Sequence, residues 1–394
     1  MPSINDIVEI AQELESKPVL ILSEKCVAVR NRNSSCTRCI DACPAGVVDV
    51  RDNVLSIRFD GCVACQACCT ACPTGALMPL QPMDADLMAQ VADGMRALEG
   101  TAVIACARIS SRREADPRTY ADVPCLCRVD ESAIVDAVSE GAGEVLLVDG
   151  GCRTCRYRDT QGTTDTVVGG AKELLGIWGS GARVRRASAF PEACLLSERD
   201  RRRMKGESRR KFFGAARDDA KKAASVTLAQ QLKLDEGKAA PTLRDMFAVH
   251  GDRQTLPQFH AQRQLDLMNA LDRIGEPAPA DEEITTRLWG KVTIDADTCT
   301  ACGMCLMFCP TGALHAAPDE DARLEGCDAL YEHWAAECTQ CRLCEDSCLK
   351  NCLQVSDELA PSQLVDFEPR SFRLTRRTDN GMFGAGFMSP RSRS

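Results

Sequence analysis

The residues best able to do chemistry in this chain are its cysteines, 25 in 394 positions. They fall in three groups, Cys26 to Cys72, Cys106 to Cys194 and Cys299 to Cys352. Cys62, Cys65, Cys68 and Cys72 follow a C-x2-C-x2-C-x3-C spacing, closed by Pro73. Three thiolates three residues apart on a tight loop can wrap three corners of a four-iron, four-sulfur cube. The fourth lies one turn further on and points toward a second cube. Upstream, "NRNSSCTRCIDACPAG" carries the last three positions of such a run, Cys36, Cys39 and Cys43, closed by Pro44. The first position falls at residue 33 and is Asn33. An amide is a poor ligand where the chemistry uses soft thiolates. Cys26 is the one thiol upstream of Cys36 and the candidate for the missing place. A three-iron cluster, or a cube with one open iron, is the alternative.

Two more runs lie near the other end. Cys299, Cys302, Cys305 and Cys309 precede Pro310, and Cys338, Cys341, Cys344 and Cys348 precede Leu349 in place of proline. The string "CPTGAL" occurs at 72–77 and again at 309–314, so a supersecondary unit is repeated. On these motifs, residues 26–80 and 291–356 each resemble bacterial two-[4Fe–4S] ferredoxins. The resemblance implies four [4Fe–4S] clusters. One cube would take Cys43, Cys62, Cys65 and Cys68, and another Cys36, Cys39 and Cys72 with Cys26 as the candidate fourth ligand. In the second unit, one would take Cys299, Cys302, Cys305 and Cys348, the other Cys309, Cys338, Cys341 and Cys344. Cys69, Cys327 and Cys352 are read as packed thiols.

The middle group is arranged differently. Cys106 ends the apolar run "TAVIAC", Cys125 and Cys127 follow "YADVP", and Cys152 and Cys155 follow "EVLLVDGG". Sites in open α/β layers form beyond the carboxyl ends of strands, where these thiols can converge. "CLCRVDESAIVDAVSEGAGEVLLVDGGCRTCRY" resembles the iron–sulfur delta subunit of methyl-viologen-reducing hydrogenase and the matching C-terminal part of heterodisulfide reductase. The resemblance implies a [2Fe–2S] cluster, with Cys106, Cys125, Cys152 and Cys155 as ligands. The chain departs from that family where its second early cysteine falls at Ile109, and its last cysteine pair is closer together. Zinc held by four of the middle-group thiols is the alternative. Cys127 and Cys194 have no assigned role.

The elements that must position these groups are legible in part. Leu87, Val91, Met95 and Leu98 share one helical face, and Gly100 stands where that helix stops. "TAVIAC", "EVLLVDGG" and "ARVRRAS" read as strands. "DESAIVDAVSEGA", with Asp130 as candidate N-cap, and "TDTVVGGAKELLGIW" read as helices. Strand–helix–strand alternation predicts a small parallel α/β layer. The expected fold class is α+β multidomain: two ferredoxin-like dicluster domains around a small parallel α/β domain and a helical linker. The expected boundaries are 1–82 for an N-terminal helix and dicluster domain, 83–100 for a linker helix, and 101–196 for the α/β domain. A charged helical linker follows at 197–290, then the second dicluster domain at 291–360 and a loose tail at 361–394. The charged stretch at 198–223 reads as a solvated face, or more sharply as a partner-docking segment.

Composition narrows the function. A disulfide scaffold would be short and secreted; this chain is long, with an acidic start and no apolar export segment. "SRRKFF" at 208–213 imitates a twin-arginine signal but is internal and lacks the apolar stretch that must follow. The apolar runs are too short to span a bilayer. The expectation is a cytoplasmic protein that binds no nucleic acid. "WGSGARV" lacks the third glycine of a dinucleotide fingerprint, and no substrate pocket is evident. Many one-electron sites without a substrate site fit a conduit. The leading reading is an electron-transfer subunit in a larger oxidoreductase of anaerobic metabolism. By resemblance, its neighbours would be a hydrogenase, a formate dehydrogenase or a heterodisulfide-reductase-like flavoprotein. A freestanding polyferredoxin, or an enzyme whose open-iron cluster binds substrate, is the alternative.

Overall fold

The computed structural model describes residues 17–201, 256–366 and 368–377. The N-terminal sixteen residues, "SRRKFF", most of the charged stretch from 198 and the chain end from 378 lie outside these.

Near the start, two antiparallel ribbons enclose the cysteine loops. Strand β1 (Val19–Ile21) leads to helices α1 (Val27–Arg30) and α2 (Arg38–Asp41) and a hairpin of β2 (Val48–Arg51) and β3 (Val54–Ile57). Helix α3 (Ala67–Ala71) and strand β4 (Leu77–Pro79) complete the unit. β1 pairs with β4, Val19 opposite Pro79, and β2 with β3, Val48 opposite Ile57. The hairpin turns on Asp52 and Asn53, both with positive φ, which these residue types tolerate. The core is thin. Val19, Leu55, Ile57 and Leu77 pack against the thiols of Cys26, Cys39, Cys68 and Cys72.

Helix α4 (Asp84–Ala97) leads into the parallel layer: β5 (Thr101–Cys106), α5 (Ala107–Ser110), β6 (Ala121–Val123), α6 (Glu131–Ser139), β7 (Glu144–Val148), α7 (Gln161–Ile177) and β8 (Arg183–Ala187). The strand order is β6-β5-β7-β8, all parallel, with Ile104 facing Ala121 on one side and Leu147 on the other. The predicted strands and helices of this region are present. Asp130 caps α6, its carboxylate accepting from the Ala133 N–H at 3.1 Å. β6 went unpredicted because "ADV" is too short to show a pattern.

The described part of the expected linker is built into the fold. Helix α8 (Gln262–Ile274) lies on α6, with Leu267, Ala270 and Leu271 fully buried. The second cysteine unit has β9 (Ile284–Thr285), β10 (Lys291–Ile294), α9 (Met304–Phe308), β11 (Leu314–Ala316) and α10 (Asp319–Leu324). It continues with β12 (Ala329–His333), α11 (Leu343–Asp346), β13 (Leu353–Ser356), β14 (Glu358–Leu359), α12 (Ser362–Val365) and β15 (Arg370–Leu374). β10 pairs with β13 and β11 with β12, repeating the two-ribbon plan of the first unit. The tail expected to be loose from 361 is corrected as far as Leu374. β15 pairs antiparallel with β12, Ala329 opposite Leu374, because Phe372 and Leu374 alternate inward between polar residues.

Candidate metal centres

The three complete cysteine runs share a backbone device. Two residues after the first cysteine and one after the second, the chain turns left-handed: Ala64 and Gln66, Ala301 and Gly303, Gln340 and Arg342. All but one of these are non-glycine residues, for which the left-handed region is costly, and such strain collects at binding sites. The turns aim backbone N–H groups at sulfur. Ala64 N–H donates to Cys62 Sγ and Ala301 N–H to Cys299 Sγ, each at 3.4 Å. Each wrapped loop closes on a small cavity. One is lined by Cys43, Cys62, Cys65 and Cys68, one by Cys299, Cys302, Cys305 and Cys348, and one by Cys309, Cys338, Cys341 and Cys344. In each, the fourth thiol comes from the partner run of the same unit.

The incomplete run is built otherwise. Asn33 is exposed, and its N–H donates to Asn31 Oδ1 at 2.9 Å, so residue 33 turns outward. Cys26 instead sits buried at the N-cap of α1. Burial raises its thiol pKa, and Cys72 and Cys36 are close enough to push it further. Cys39 is raised by burial and then by Cys72, Cys26 and Cys36. Cys26, Cys39 and Cys72 pack in one core, and Cys36 acts on both Cys26 and Cys39. Elsewhere burial, followed by neighbouring thiols, lifts Cys338 and Cys341 to about 12. Such thiols stay protonated until a metal displaces the proton.

In the middle layer Cys106, Cys125 and Cys152 follow the carboxyl ends of adjacent strands β5, β6 and β7. Cys125 is drawn down to about 6, first by the neighbouring Cys127 thiol and further by Thr160 Oγ1 at 3.4 Å. Cys152 is pushed up to about 11 by burial and Asp149, with Cys125 and Cys106 also acting on it. Cys155 ends the same short turn as Cys152. Among the described residues, no three His, Cys, Asp or Glu side chains converge closely enough to hold a single metal ion.

Three features escape the spacing argument. Cys127 is fully buried, and its thiol donates to the Cys65 carbonyl at 3.3 Å, touching the N-terminal unit. Cys352, expected as a packed thiol, lines the cavity of Cys299, Cys302, Cys305 and Cys348 and stands 3.4 Å from Cys348 Sγ. Its offset of four residues from Cys348 was the available signal. Arg263 of α8 donates to the carbonyls of Cys69 (2.8 Å), Thr70 (3.1 Å) and Cys72 (3.2 Å), closing the end of α3, and pairs with Asp130 at 3.0 Å.

Three family models match parts of the chain. The model of the 4Fe-4S dicluster domain matches residues 34–77, and that of the 4Fe-4S binding domain matches residues 292–315. The model of the methyl-viologen-reducing hydrogenase, delta subunit, matches residues 102–192. Comparison with curated proteins and with solved structures gives no significant match. The chain therefore combines [4Fe–4S]-binding domains with a hydrogenase-delta-subunit-like domain, a composition that supports an iron–sulfur electron-transfer role.

Proposed function

We propose that this chain is the electron-transfer subunit of a larger cytoplasmic oxidoreductase complex, holding four [4Fe–4S] clusters and one smaller iron–sulfur centre. The observation that carries the reading is the shared double left-handed turn in all three complete runs, each closing on a cavity lined by four thiols. The cubes are assigned to Cys43, Cys62, Cys65 and Cys68; to Cys26, Cys36, Cys39 and Cys72; to Cys299, Cys302, Cys305 and Cys348; and to Cys309, Cys338, Cys341 and Cys344. Cys106, Cys125, Cys152 and Cys155 are assigned to the [2Fe–2S] centre. Bound clusters supply one-electron redox at potentials set by hydrogen bonds to sulfur and by burial.

The protein's own part is to shape those settings. Ala64, Ala301 and Ala76 each present a backbone N–H to a cysteine sulfur within 3.4 Å. Cys302 is exposed, whereas Cys344 is buried, so the two cubes of the C-terminal unit meet water unequally. That difference would stagger their potentials. Among the described residues, no helix is long and apolar enough to cross a membrane, which fits a subunit that reaches its partners by docking.

Anaerobic purification of the native protein from its own cells tests the complex. Further redox subunits should co-purify in fixed ratio. A chain that runs alone under gentle, low-salt conditions would instead be a freestanding carrier.

A further inference from the structure

The two terminal units meet along a seam, and the seam joins one thiol set of each. Ser35 donates its backbone N–H to Asp346 Oδ2 at 2.8 Å and its hydroxyl to Asp346 Oδ1 at 3.0 Å. Asn31 Nδ2 donates to Ser347 Oγ at 2.9 Å, and that hydroxyl donates onward to the Leu343 carbonyl at 2.6 Å. Arg38 Nη2 donates to the Gln340 carbonyl at 2.9 Å. These bonds flank thiols: Ser35 precedes Cys36, Arg38 lies between Cys36 and Cys39, and Gln340 precedes Cys341. Between them Val27, Phe308 and Leu343 form an apolar plug against which both Cys36 and Cys341 pack. Arg30, 2% exposed, lies beside this plug with Nη1 on the Pro257 carbonyl at 2.7 Å. The thiols of Cys309 and Cys341 act on its guanidinium from the other unit.

The remaining neighbours meet more directly. Cys127 reaches from beside Cys125 to Cys65. Within the first unit α2 and α3 pack together, and Cys68 acts on Cys39. Within the second, α9 packs on α11, and Cys305 acts on Cys344.

From these contacts we infer that the five thiol sets form one line through the whole chain, and that the seam of Ser35–Arg38 against Gln340–Ser347 carries electrons between the two terminal units. The order runs from the Cys125 set to the Cys65 set, the Cys36 set, the Cys341 set and the Cys302 set. This rests on the cluster assignments proposed above. At the seam, iron on one side loses one electron as iron on the other gains it, and no bond forms or breaks. A one-electron donor protein at one end of the line and a one-electron acceptor protein at the other balance the transfer. The two ends are the turn of Cys152 and Cys155 and the exposed loop of Cys302.

The test uses the full chain, anaerobically loaded and fully reduced, read by electron paramagnetic resonance alongside iron analysis. Wild type should show magnetic interaction between clusters on the two sides of the seam. The splitting of the Cys341-set signal should disappear when Cys36→Ala and Cys39→Ala empty the N-terminal side. It should also weaken in the double variant Arg38→Ala, Asp346→Ala, with iron content unchanged. Iron-replete wild type in which the signal of the Cys341 set keeps its shape when the Cys36 set is emptied would overturn the line but leave the cluster assignments standing. A wild type without iron in the terminal units would overturn both. Should the double variant lose iron, the comparison of wild type with the emptied set decides alone.

Discussion

On the ligand sets proposed above, Cys26 takes the place that the first cysteine holds in the other runs, where this run has Asn33. A wrapped loop needs two left-handed residues between its cysteines, and residues 35 and 37 adopt neither. Without that wrap, residue 33 turns to solvent and a thiol must come from outside the loop. Cys26, held at the start of α1 beside Cys36 and Cys72, is in position to do so. Cys26→Ala should therefore convert one cube to a three-iron form or lose it, seen as a new resonance signal in the oxidised protein. Cys69→Ala should leave iron content and spectrum unchanged. A three-iron signal already present in strictly anaerobic wild type would remove Cys26 from the ligand set. Cys127 makes a second residue-scale prediction. Its one thiol proton goes to the Cys65 carbonyl, tying the middle layer to the first cysteine unit. Cys127→Ala leaves that carbonyl without this donor and should cost about 1 kcal/mol with iron content unchanged, as followed by a thermal melt of the loaded protein. The runs themselves were legible because spacing alone encodes them. Cys352 and Cys127 were not, because their partners are distant in sequence or off the motif.

At the scale of elements, α8 ties the middle layer to the first cysteine unit. Arg263 sits mostly buried where α3 ends, a position that favours a cation hydrogen-bonding the last carbonyls. Its pairing with Asp130 links the end of one helix to the start of another. Arg263→Ala takes the charge partner from the buried Asp130 carboxylate and one donor from each of those carbonyls, and should cost about 3 kcal/mol, in the range for breaking a buried pair. A thermal melt of the loaded protein checks this, and Arg263→Lys should recover only part of the loss. The parallel layer was legible because β5 and β7 are continuous apolar runs separated by a well-capped helix. The docking of α8 was not. Its stripe of Leu267, Ala270 and Leu271 shows an amphipathic helix but names no partner, and β15 hid within a Gly- and Arg-rich composition.

Across the whole molecule, apolar burial is uneven. The parallel layer, with α4, α6, α7, α8 and the fully buried Trp289, shares one large core. The terminal units have small cores made partly of thiols, and with the clusters proposed above their folding would be coupled to metal. Chelation or oxygen exposure should expose both terminal units to protease before the layer, whereas equal resistance of all three would contradict this. The seam between the units had no sequence signal at all: Asn31 and Ser347 meet across 316 positions. The central claim, that this chain is a multi-cluster conduit, is tested most directly by anaerobic iron and sulfide analysis of the intact protein. Four cubes would give about sixteen iron atoms, and the middle centre about two more. A count near eight would remove one of the two dicluster units and contradict that claim.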